Sequence, residues 1–217
     1  LIVSLSLHVL GMFRHSSALH GFLKLPGRKS LDSIMKLPEL EKLSSAQIMN
    51  IWMTHHENMI QYYGRVVSAD AYRAMLPRFE QSPYFVVPIF RDTALFNVVT
   101  CYDRDLIGVT PLKVWQEKQD SADVHMTIQF FDELATRKGI VLVRAEIKDE
   151  IFKKSDCAFA VTMLMKYYSL PVKYEEWVKT FNVSPHNFDY HRFLRQMKDE
   201  AHHDNVQILD KKVERRG

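Results

Sequence analysis

The chain has 217 residues, 47% of them hydrophobic and 25% charged, with only 7 Gly and 8 Pro. That balance belongs to a folded chain with a real core, as one large domain or two small ones, and excludes wholesale disorder. A formal charge of +3 would suit a nucleic-acid binder, but Arg14, Lys24, Arg28 and Lys29 lie in residues 1–31 with no acid beside them, which leaves 25 basic against 26 acidic residues in 32–217. A body this close to neutral lacks the Lys/Arg excess on which phosphate binding depends.

Residues 1–30 read as a mitochondrial targeting presequence, removed or disordered in the mature protein. From Met12, the expected initiator, the stretch is basic and free of acids, contains Ser, and spaces Phe13, Leu19, Phe22 and Leu23 as an amphipathic helix would. The alternative, Leu1–Leu10 as the apolar part of a secretory signal, is weaker: it is short, contains His8 and lacks a charged start. No apolar run approaches the length of a membrane span. The expected location is the mitochondrial matrix.

In chain order, residues 31–40 form a short helical lead-in broken at Pro38. Ser44 and Gln47 make a capping-box signature, and Ile48, Ile51, Trp52, His55, Met59, Tyr62 and Tyr63 recur at helical spacing, with Gly64 as the stop. Ser68 caps a second helix through Tyr72, Met75 and Leu76, ended by Pro77. The runs 84–89 and 95–101, separated by the polar Arg91-Asp92-Thr93, make a β-hairpin, and Pro88 places the first at an edge or a strand end. Thr110-Pro111 opens a short helix with Leu112, Val114 and Trp115. Residues 124–131 and 140–147 are two more strands. Three helices follow: one from Ser155-Asp156, one over 175–181, and one opened by Ser184-Pro185 that carries Phe188 and Phe193. Helices, a block of strands, then helices imply an α+β fold, with a central, mainly antiparallel sheet of about 4–6 strands. The domain reading is 1–30 presequence, 31–200 a single α+β domain, and 201–217 a charged tail.

Chemistry is sparse. Cys101 and Cys157 sit in apolar runs, too few for a disulfide framework, and read as buried core thiols. Neither His55-His56-Glu57 nor His202-His203-Asp204 has the i, i+4 spacing of a zinc helix. There is no Gly-rich phosphate loop and no nucleophile elbow. The expectation is therefore no catalysis, no metal, no cofactor, no small-molecule substrate and no nucleic acid.

The order of several blocks carries a resemblance. Ser30-Leu31-Asp32-Ser33-Ile34, the helix start from Ser44 to Trp52, Pro83-Tyr84-Phe85-Val86-Val87-Pro88, and Thr110-Pro111-Leu112 before Trp115 come first. His125-Met126-Thr127-Ile128, Asp132-Glu133-Leu134, and Lys138-Gly139-Ile140-Val141-Leu142-Val143-Arg144-Ala145-Glu146 follow, then Phe181-Asn182, Pro185 and Phe188-Asp189. Together they resemble the ATP11 family of mitochondrial F1-ATPase assembly chaperones, over residues 30–190. The chain departs from the family pattern at Val124, where Pro is usual, at Ala145, where Gly is usual, and across 117–123. The resemblance implies a chaperone without ATPase activity, monomeric when free, that holds the ATP synthase beta subunit and covers apolar surface meant for the alpha subunit. Tyr84, Phe85, Trp115, Phe130 and Arg144 are the candidate partner-binding or supporting residues. The competing reading is a non-catalytic subunit of a mitochondrial ribonucleoprotein or other large complex, motivated by the basic ends and plentiful aromatics.

Overall fold

A computed structural model of the chain describes residues 23–91 and 94–201. The presequence reading of 1–22, the His202-His203 cluster and the charged tail lie outside these residues. The order of the main elements is α1 (Ser45–Glu57), β1 (Tyr62–Ser68), α2 (Ala69–Gln81), β2 (Tyr84–Arg91), β3 (Ala94–Asp103), β4 (Leu106–Pro111), α3 (Leu112–Lys118), β5 (Met126–Phe131), β6 (Ile140–Ile147) and α4 (Lys154–Ser169). A helical stretch over 171–183 (α5), with a π-helical turn at Tyr174–Lys179, and a last helix over 190–201 (α6) complete it. All six strands join one antiparallel sheet in the order β1-β6-β5-β4-β3-β2, an α+β architecture as the element pattern implies.

The register sorts the side chains. On β6, Val141, Val143, Ala145 and Ile147 face the larger core with α2, α4, α5 and α6, while Ile140 and Leu142 face a smaller core with α1 and the lead-in. The larger core is dense in aromatic contacts: Phe79 stacks on Tyr168 and Tyr102 at 4.1 and 5.0 Å, and Phe85 meets Phe193 edge-on at 5.4 Å. The smaller core gathers Leu31, Leu40, Ile48, Trp52, Phe131, Leu134, Ile140 and Leu142.

Local signals explain most of the elements. Ser44 accepts from the Gln47 backbone and the Gln47 side chain returns to Ser44, so the capping box starts α1. Ser68 likewise caps α2 by accepting from the Ala71 N–H. The structure corrects the reading in five places. Tyr62, Tyr63 and Gly64 do not end α1; they belong to β1, whose pairing with β6 over seven residues overrides the helical spacing. Pro77 does not end α2, which runs on to Gln81. The extension is held because Arg78 donates to the Tyr168 and Ser169 carbonyls and Phe79 is fully buried. Pro38 begins a helical turn at Leu37–Leu40 instead of breaking one. Leu106–Pro111 is a strand that the sequence reading did not assign, turned by Arg104 and Asp105, both at positive φ (43° and 63°) as a tight hairpin requires. The helix expected from Ser184-Pro185 is a 3₁₀ turn at Pro185–Asn187, separate from α6.

Pro88 sits on β2, an edge strand, as its missing N–H demands. Tyr84 turns its N–H and C=O outward, and by alternation Pro88 faces outward too, where it costs no ladder bond. The start of this edge is closed by a side chain. Asn182 accepts the Tyr84 N–H at 3.1 Å and donates to the Tyr84 carbonyl at 2.6 Å, standing in for a neighbouring strand.

Residues 23–31 cross the smaller-core face of the sheet as an extended strap. Leu23 is buried. Leu25 occupies the space a Cβ on Gly108 would need. The Gln129 amide bonds both backbone groups of Lys29, at 3.1 and 2.5 Å. Lys29 Nζ reaches Glu146 at 2.7 Å, and Glu133 accepts the Leu31 N–H at 3.1 Å. The expected boundary near residue 30 thus falls within a stretch packed on the sheet.

Candidate docking surface

The structure does not bring the five sequence-predicted residues together. Tyr84, Phe85, Trp115 and Phe130 are all buried. Phe85 lies among Tyr167, Phe181 and Phe193. Phe130 lies between Tyr72 and Phe79 at 5.1 and 5.6 Å. Arg144 is on β6, four strand spacings from β2, which is about 19 Å, and on the opposite face from Phe85 and Phe130 by register. The four aromatics are core residues, and Arg144 alone of the five is half-buried.

Around Arg144 the geometry is specific. Its guanidinium lies over the Tyr62 ring at 4.0 Å. Gly64 is directly opposite it on β1, and the His56 ring fills the place of the absent side chain, 2.8 Å from where a Cβ would be. His56 is 1% exposed and its Nδ1 lies 2.8 Å from the Trp52 carbonyl. Burial, with the charges of Arg144 and Lys154 nearby, pushes its pKa down from 6.5 to about 4, so the ring is neutral at physiological pH. Lys154 Nζ donates to the carbonyls of His56, Glu57 and Met59 at 2.5 to 3.0 Å and so caps the C-terminal end of α1 with a positive charge.

Exposed apolar side chains concentrate in α1 and the turn that follows it. Of the nine large hydrophobic residues exposed among the described residues, Met49, Ile51, Met53 and Ile60 lie within residues 49–60, and Ile60 is 82% exposed. The sequence reading grouped Ile51 with the buried face of α1; the structure buries Ile48, Trp52 and His56 and leaves Met49 and Met53, one turn apart, on an open flank. Unbranched methionines adapt to irregular partner surfaces. The signal available in the sequence was two methionines at i, i+4 beside the buried stripe and not in it. Leu170, just before α5, and Val172 and Val183, within it, are also exposed.

Burial pushes both Cys101 and Cys157 up to about 12, so both thiols are protonated at neutral pH. No three His, Cys, Asp or Glu side chains converge on a metal-sized site among the described residues. No helix there is long and apolar enough to cross a membrane.

The model of the family described as ATP11 protein matches residues 23–194, the stretch that runs from the strap through the sheet into α6. Among curated proteins the chain is similar to the human "ATP synthase mitochondrial F1 complex assembly factor 1", 22% identical over 175 residues, covering 80% of this chain and 53% of that protein. The mouse protein of the same name is 21% identical over 174 residues, with the same coverage. The chain spans about half the length of these relatives. The family model covers well over half of this chain and takes in the whole sheet, and on that extent the chain belongs to the ATP11 protein family.

Proposed function

We propose that the protein is a non-catalytic assembly chaperone for mitochondrial F1, resident in the matrix, that binds free ATP synthase beta subunit and keeps it from aggregating until it pairs with the alpha subunit. The observation that carries this reading is the match of the ATP11 protein model to residues 23–194. Two relatives named as F1 complex assembly factors support it. The surface is in keeping with such a role: exposed Met49, Ile51 and Met53 on α1 with Ile60 beyond it, and the Lys154 ammonium at the end of that helix, offer a transient holder of an apolar client apolar surface beside charge. Tyr84, Phe85, Trp115 and Phe130 enter this reading as buried supports, and Arg144 as a contact.

The test is capture from matrix extract with the tagged protein, followed by light scattering of purified beta subunit with and without it. Free beta subunit as the main captured partner, and slower aggregation in its presence, are the expected results. Normal F1 assembly in cells deleted for the protein would sink the reading.

A further inference from the structure

Among the described residues, most arginines have an oxygen partner. Arg28, Arg73, Arg91, Arg104, Arg137 and Arg192 each pair with a carboxylate. Arg65 donates to the Thr162 hydroxyl, and Arg78 to two backbone carbonyls. Arg144 is half-buried yet makes neither an ion pair nor a hydrogen bond among the described residues, and its Nε is buried without a partner. The buried Nε loses its water without gaining an acceptor, and a guanidinium so placed gains from an acceptor at its open end. The neighbours do not supply one. Gly64 has no side chain, and Gln129, beside Arg144 on β5, spends its amide on Lys29. Glu146, the next acid along this face, is held by Lys29 at 2.7 Å and Lys148 at 2.5 Å. Lys154 lies close enough to act on His56 together with Arg144, Lys29 and Lys148 are both spent on Glu146, and Glu57 is an exposed acid at the end of α1.

We propose that Arg144, held over the Tyr62 ring between Gly64 and Gln129, is a receptor for a side-chain carboxylate of the bound client, an Asp or Glu next to apolar residues that lie against Ile60. The inference rests on the chaperone reading for the identity of the client. The guanidinium carbon lies 4.0 Å over the Tyr62 ring, which restrains the group, and its terminal Nη groups, unlike the buried Nε, are the ones that can meet the two oxygens of a carboxylate. Ile60, 82% exposed and two residues before Tyr62, gives a protein segment an apolar contact that a small free anion would not use.

Two measurements test it on the full chain. In the first, the arginine Nε–Hε resonances are followed while the amide of N-acetylglutamate is added, with the amide of N-acetylglutamine and inorganic phosphate as comparisons. A saturable shift of the Arg144 signal with the glutamate probe, absent with the glutamine probe, is expected. A silent Arg144 resonance, an equal response to the glutamine probe, or a stronger response to phosphate overturns the carboxylate site. In the second, purified beta subunit is titrated against wild type, Arg144→Lys and Arg144→Gln, each checked for an unchanged thermal melt. Arg144→Gln weakens binding by about tenfold or more and flattens its salt dependence, and Arg144→Lys, which keeps the charge but loses the fork, falls between. Wild-type affinity and salt dependence in Arg144→Gln overturns the client as the source of the carboxylate. If wild type itself binds no beta subunit, the chaperone reading fails with the client assignment, and the resonance measurement decides the site alone.

Discussion

Gly64→Ala tests the close approach of α1 to β1. An ideal Cβ at residue 64 would lie 2.8 Å from Cγ and Nδ1 of His56 and 3.0 Å from its Cβ. These atoms are the root of the ring and cannot swing aside as the end of a flexible chain would. The ring is held by its bond to the Trp52 carbonyl at 2.8 Å and packs 4.3 Å from the Trp52 ring, which is itself tied to the Val143 carbonyl at 3.1 Å. Adding the methyl therefore lifts the C-terminal turn of α1 from the sheet. Overpacking of this kind costs about 1–3 kcal/mol. Removing a glycine from a strand returns about 0.5–1 kcal/mol, so the net loss is about 1 kcal/mol and at most about 2.5 kcal/mol. For a domain of this size each kcal/mol lowers Tm by roughly 2–4 °C. The assay is urea unfolding followed by circular dichroism for Gly64→Ala, His56→Ala and the double variant. Removing the ring makes room for the methyl, so the double variant is more stable than the sum of the two losses, by about 1–2 kcal/mol. A Gly64→Ala protein within about 0.5 kcal/mol of wild type, or two strictly additive losses, refutes the steric argument.

Asn182→Ala removes two bonds to the Tyr84 backbone and opens the β2 edge; the expected loss is about 2 kcal/mol, with faster hydrogen exchange at the Tyr84 amide and more aggregation by light scattering. His56 has a folded pKa of about 4 against an ordinary 6.5. The unfolded chain therefore takes up the proton first, and stability from this group is present above about 6.5 and lost as pH falls toward 4. Urea unfolding at pH 7 and pH 5 should show a larger drop for wild type than for His56→Gln, and equal drops would contradict the burial. Arg91→Met takes the cation from the Asp156 carboxylate, whose side chain is 4% exposed and bonded to Arg91 at 2.6 Å, and leaves it the Lys153 N–H. Because the Arg91 side chain is 30% exposed, the expected cost is at the low end for a broken buried pair, about 2–3 kcal/mol by thermal or urea unfolding.

The fold class was legible because its signals are local. Ser44 with Gln47 and Ser68 are capping side chains that act within one turn. Pro88 lacks an N–H wherever it lies, so the sequence places it at an edge or a strand end, and the sheet order makes it the edge. The β2–β3 hairpin, β5 and β6 are β-rich runs bounded by turn residues. What the sequence left open involves contacts made across many residues. Tyr62 and Tyr63 continue a helical spacing after Met59, and only pairing with β6, some eighty residues later, makes them a strand. Leu106–Pro111 becomes a strand because β3 and β5 lie on either side of it. For the candidate surface the division is the same. Periodicity shows that α1 has an apolar stripe, but which apolar residues stay uncovered depends on where the sheet and the strap end, and so Met49 and Met53 emerged only in three dimensions. Arg144 could be picked out by type and motif. That it has no acceptor among the described residues is a property of Gly64, Gln129 and Glu146 around it, each already committed by the tertiary structure.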